Sequence, residues 1–124
     1  MSSPTSRTLQ KLKSEGWTAG ITERWSQPAM KRFDLYGFID VLAMHPEKGF
    51  LAVQATSGSN ASARVRKILG ECHNDAVTFL RAGRGMTGIE VWSWSKQGQR
   101  GKRKLWTCRR QKVTAEMLGL TGEA

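Results

Sequence analysis

Apolar and polar positions change their period several times along the chain, and each change marks an element. Residues 5–15, TSRTLQKLKSE, place Leu9 and Leu12 at helical spacing, and Gly16 is a natural stop, which predicts a helix. Residues 17–25, WTAGITERW, alternate and carry β-favouring Ile, Thr and Trp, which predicts a strand. Residues 26–31 contain Pro28 and read as a loop. Residues 33–44, FDLYGFIDVLAM, form an apolar run interrupted by Gly37, a strand with a bend or bulge at the glycine. HPEKG at 45–49 is a turn, and FLAVQAT at 50–56 is the partner strand. After a loop at 57–60, residues 61–82 read as one long helix. Its buried stripe would include Ala63, Ile68, Cys72, Val77 and Leu80. Residues 83–88 break it; 89–95 and 103–113 are strands joined by the basic turn KQGQRGK; the tail from Thr114 is a short helix or a frayed end. The order α, β, β, β, α, β, β predicts an α/β fold, a mixed central sheet flanked by helices.

Length and charge sharpen this picture. A chain of 124 residues fits one domain spanning 1–124. Its 20 Lys+Arg against 10 Asp+Glu leave a net charge of +10. That excess repels itself in a folded protein and points to a polyanionic partner, with nucleic acid ahead of an anionic membrane surface. No apolar run has the length of a membrane span, and Met1 to Arg7 lack the apolar core of a secretory signal. Cys72 and Cys108 lie far apart without CxxC spacing, and His45 and His73 add no metal-ligand pattern. A reducing, cytoplasmic location is the expectation.

The hairpin around HPEKG carries the candidate chemistry. If Met44 faces Phe50, antiparallel pairing sets Leu42 opposite Ala52 and Asp40 opposite Gln54, with side chains about 5 Å apart on one face. Thr56 points to the same face. Glu23 can reach it from a neighbouring strand, and Asp34 has the right parity unless a bulge at Gly37 turns it away. Clustered carboxylates with an amide oxygen suit Mg²⁺ or Mn²⁺, and such an ion can activate water against a phosphodiester. Asp40 lies in an apolar run, where an ionised carboxylate is costly without compensation. The plainer alternative is an Asp40 at a frayed edge or paired with Arg32 or Arg64.

DLYGFID-VLA, a short turn and LAVQAT together resemble the core hairpin of the PD-(D/E)XK nuclease superfamily, which includes restriction endonucleases and Holliday junction resolvases. The resemblance covers roughly residues 5–95. It implies an αβββαβ restriction-endonuclease-like core, with Asp40 as the metal-binding acid, Gln54 at the second acidic position, Thr56 at the lysine position and Glu23 as an upstream acid. Gln54 replaces an acid. Thr56 replaces a lysine and brings no positive charge to the attacking water or the phosphorus. Arg64, Arg66 and Lys67 follow the strand, and Arg64 and Lys67, three apart, face one side of a helix. Lys67 either substitutes for the missing lysine or, like Arg66, binds phosphate only. Resolvases of this superfamily act as dimers, so a homodimer is implied as well.

The segment 96–112 holds eight Lys/Arg and no acid, and predicts a basic C-terminal β-hairpin. Arg100, Lys102, Arg103, Lys104, Arg109 and Arg110 are expected to contact the phosphate backbone. Trp92 and Trp94 share a face, with Trp106 across the hairpin; they either stack on bases or fill the core, and core is the expectation for Trp17 and Trp25. The reading that unites these features is a metal-dependent nuclease or resolvase-like protein acting on DNA. The alternatives are a catalytically inactive module of the same fold that binds DNA or RNA, and a basic protein that binds another protein.

Overall fold

A computed structural model describes residues 3–120. It is an α/β structure built on a mixed five-stranded sheet. Helix α1 spans Pro4–Ser14, strand β1 Thr18–Ile21, β4 Val41–His45, β5 Gly49–Ser57, β6 Thr87–Gln97 and β7 Leu105–Val113. The sheet order is β1-β4-β5-β6-β7, with β5 and β6 parallel and the other neighbours antiparallel. A separate two-stranded ribbon joins β2 (Arg24–Ser26) to β3 (Lys31–Phe33). Helices α2 (Ala61–Leu69) and α3 (His73–Ala82) form the crossover between the parallel strands.

Alternation along the strands divides the core in two. On one face Val41, Ala43, Leu51, Val53, Trp92 and Trp94 meet Leu12 of α1. On the other, Ala52, Ile89, Val91 and Val113 meet Val65, Ile68, Cys72 and Ala76 of α2 and α3. Ser3 caps α1 by accepting from the Ser6 amide at 3.1 Å, and Pro4 occupies the first turn, where its missing N–H costs nothing.

The expected hairpin register holds: Met44 pairs with Phe50 and Leu42 with Ala52. Three expected elements differ. The strand foreseen at 17–25 is two short strands in different sheets, separated at Thr22 and Glu23. The run 33–44 contains a chain reversal, because Leu35 and Ile39 bridge each other around Tyr36 and Gly37, both at positive φ (54° and 81°). Gly37 suits this turn doubly, since an added Cβ would stand 3.1 Å from the Cys72 sulfur. The helix foreseen at 61–82 breaks between Leu69 and His73, where the amide of Gly70 still bonds the Arg66 carbonyl but Cys72 reaches back to Lys67. The break rotates the stripe: Ala63 is exposed, while Ala61, Val65 and Ala76 are buried with Ile68 and Cys72, and Val77 and Leu80 are half-buried. Trp25, expected in the core, is 53% exposed. The tail after Thr114 is a series of turns that buries Leu118.

Candidate metal centre

The chain reversal at Tyr36–Gly37 builds the site. With Leu35 opposite Ile39, the next residues outward, Asp34 and Asp40, come side by side. Asp40 precedes β4 and is tied to β5 by its amide, which donates to the Val53 carbonyl at 2.9 Å. Its carboxylate Oδ2 accepts from the Ala55 amide at 2.7 Å and from Gln54 Nε2 at 3.1 Å. The same Nε2 donates to Asp34 Oδ2 at 3.0 Å. The gap between β1 and β2 supplies the third acid. Thr22 bonds the carbonyl of Asp40 through its amide (2.8 Å) and that of Ile39 through its hydroxyl (2.7 Å). That fixes Glu23 beside the pair.

One oxygen from each of Glu23, Asp34 and Asp40 lies within 4.8 Å of the others. They open into a cavity of about 290 Å³ that Gln54 and Ala55 also line, with Arg32, Arg64 and Lys67 at its edge. Three acids thus face three cations, which is how so basic a chain tolerates the cluster. Arg32 donates to Glu23 Oε1 at 3.1 Å, and Lys67 Nζ stands 3.8 Å from Asp34 Oδ2. Neither Arg32 nor Arg64 forms an ion pair with Asp40. Burial first, then the neighbouring Asp34 and the charge of Glu23, raise the Asp40 carboxyl to about 8, against the opposing bond from the Ala55 amide. Asp40 therefore holds its proton to a higher pH than an exposed aspartate does while the site holds no cation.

Gln54 is 2% exposed, and its Oε1 is a buried polar atom without a hydrogen-bond partner. A buried amide oxygen left bare is costly. Its NH₂ end is spent bridging two carboxylates, as a positively polarised group would be. A divalent cation between the acids would replace that bridge and accept the Gln54 oxygen after rotation of the amide. The donor set, carboxylates and one amide oxygen, is hard and fits Mg²⁺ or Mn²⁺.

The other expected residues fall into distinct places. Thr56 is buried and level with Ser93, on the same strand face as Gln54 but outside the cavity lining. Arg66 is exposed on α2 and does not line the cavity, unlike Arg64 and Lys67. Beyond Ser57, level with Trp94, β5 ends while β6 and β7 continue as a ribbon from Ser95 to Gln97. Its turn carries Arg100, Lys102, Arg103 and Lys104, all exposed, past the end of the sheet where the acids lie. Arg109 pairs with Ser93 and shares the face of Gln54 and Thr56. Arg110 faces the other way: it lies 4.0 Å over the Trp92 ring and is held by both oxygens of Glu15, so its charge is already matched. Trp92 and Trp94 belong to the core, whereas Trp106 is 42% exposed beneath the Arg7 guanidinium.

A larger cavity, about 1020 Å³, opens at the opposite end of the sheet. Leu51, Ile89 and Val113 floor it, and none of the three clustered acids reaches it. Size and chemistry therefore separate, and the small polar cavity holds the clustered acids. Among the described residues, no helix is long and apolar enough to cross a membrane. No family model, curated protein or solved structure matches the chain.

Proposed function

We propose that this protein is a metal-dependent nuclease that hydrolyses phosphodiester bonds in DNA, with a PD-(D/E)XK-like arrangement of its core. The observation that carries the reading is the meeting of Asp40, Asp34 and Glu23 around a buried Gln54 whose oxygen has no partner. The order helix, strand, antiparallel hairpin, crossover helices and parallel strand agrees with that superfamily. Asp40, Asp34, Glu23 and Gln54 Oε1 would hold Mg²⁺ or Mn²⁺. The chemistry such an ion supplies is polarisation of the phosphodiester and activation of water. Lys67, at the cavity edge, replaces the lysine that Thr56 cannot provide and stabilises charge developing on the phosphate. Arg64 helps to seat the phosphate. The basic β6–β7 ribbon holds the backbone of the nucleic acid on the same end of the sheet. With DNA as substrate the protein acts inside the cell, and a homodimer would serve a substrate with two equivalent strands.

A second reading, a binding module that has lost catalysis, draws on Thr56 and on the pairing of Lys67 with Asp34. One experiment separates the two. Labelled duplex, branched and single-stranded DNA is incubated with wild type and Asp40→Ala in EDTA, Mg²⁺ or Mn²⁺. Metal-dependent cleavage by wild type alone is expected. Salt-sensitive binding without cleavage in either protein would favour the module.

A further inference from the structure

The β2–β3 ribbon is joined to the acid cluster at both of its ends. Glu23 immediately precedes β2 and Asp34 immediately follows β3. Between them, residues 24–33 carry Arg24, Lys31 and Arg32 and no acid. The ribbon also exposes apolar surface. Trp25 is 53% exposed and Met30, at the turn with φ 52°, is 64% exposed. The Trp25 indole N–H donates to Gln27 Oε1 at 3.1 Å, so the ring is held in place without being covered. Arg32 is its cross-strand partner. On the opposite ribbon face Phe33 lies near both Arg24 and Lys31, at 5.2 and 4.9 Å.

An aromatic ring kept half in water, with Arg32 across from it and Arg24 next to it in the chain, suits a flat, anionic partner. Nucleic acid bases attached to phosphates have that chemistry. A second copy of this chain does not, because each copy brings a net charge of +10. Two residues of extended strand separate Trp25 from Glu23, about 7 Å, which is about two nucleotide steps along one strand.

We propose that Trp25 stacks on an unpaired base within about two nucleotides of the phosphate at the acid cluster. The ribbon thereby selects DNA carrying a gap or a bulge over continuous duplex. The proposal rests on the DNA-binding reading above and adds the structural class of the substrate. In a continuous duplex every base is already stacked, so Trp25 gains a partner only after unstacking is paid for. Arg32, opposite Trp25 and bonded to Glu23, places the ribbon and the acids in one connected network.

The test uses full-length protein in EDTA, so that cleavage plays no part. Two labelled DNAs are compared, a continuous duplex and the same duplex with a three-nucleotide gap containing 2-aminopurine. Wild type is expected to bind the gapped DNA more tightly and to quench the 2-aminopurine. Trp25→Ala should lose about tenfold in affinity for the gapped DNA and less than about twofold for the duplex. Trp25→Phe, which keeps a stacking face, should recover most of the preference. Circular dichroism of both variants should match wild type, since the side chain lies on the surface. Equal binding of the two DNAs by wild type, or equal weakening of both by Trp25→Ala, would overturn the proposal and leave the nuclease reading standing. A wild type that binds neither DNA would remove both. If Trp25→Ala changes the sedimentation coefficient instead of the preference, the ribbon is a contact between copies and the proposal fails.

Discussion

The two faces of the central sheet both bury polar groups, and they treat them differently. On the α1 face each such group has a partner. The Trp94 indole N–H donates to the Thr8 hydroxyl at 2.9 Å and the Trp92 indole N–H donates to Glu90 at 2.8 Å, while Arg110, exposed over the Trp92 ring, is clasped by Glu15. On the other face three acids crowd one cavity, one carboxyl is pushed up to about 8, and an amide oxygen has no partner. A satisfied polar group buried in a core is explained by packing and position alone. The second face carries a cost that the fold does not recover, and that is where function is expected.

Lys67→Ala should give the largest change of the substitutions that sharpen this contrast. It removes the positive charge beside Asp34 and is expected to slow cleavage by about 100-fold, with DNA affinity changed only a few-fold. Lys67→Arg should restore part of the rate. Single-turnover kinetics alongside binding in EDTA distinguish these outcomes from a loss of affinity.

Asp40→Asn should make the metal-free protein more stable. The folded carboxyl keeps its proton up to about pH 8, whereas in the unfolded chain it ionises near pH 4. The folded state thus binds the extra proton between those values, and wild-type stability falls as pH rises across that window. Asparagine has no proton to lose. Its advantage should be absent near pH 4 and grow steadily as pH rises toward 8. Urea melts in EDTA at several pH values measure it, and a pH-independent difference would remove buried charge as the cause.

The satisfied face offers the converse. Thr8→Val leaves the Trp94 N–H buried without an acceptor and should cost about 1–2 kcal/mol of stability while cation binding is unchanged. The smallest effect should come from Lys102, Arg103 and Lys104 replaced together by Ala. Stability should stay constant, and the slope of log affinity against log salt should fall by about 3.

Much of the site was legible in the pattern of residues, and the reasons are physical. Alternation in FIDVLAM and FLAVQAT, around a turn with a glycine, allows one register, because a slip by one residue would turn the apolar set to water. That register is what brings Asp40 to Gln54. The approach of Asp34 depends on the reversal at Tyr36–Gly37, and the apolar run around it reads as continuous strand because a positive φ at Tyr36 leaves no mark in hydrophobicity. The break after Leu69 hides for a similar reason: Ile68, Cys72 and Ala76 keep a helical spacing across it. Trp25 was misplaced because composition reports that a ring is apolar and not whether anything covers it. The gap between β1 and β2, which sets Glu23 at the cluster, is likewise fixed by tertiary bonds from Thr22 to the Ile39 and Asp40 carbonyls.

The most direct measurement is a titration of metal-free protein with Mn²⁺, followed calorimetrically and by the electron paramagnetic resonance of free Mn²⁺, for wild type and Asp40→Ala. Wild type is expected to bind Mn²⁺ with proton release near pH 7, as Asp40 gives up its proton, and Asp40→Ala to lose that binding. Binding that survives unchanged in Asp40→Ala, or no binding by wild type, would contradict it.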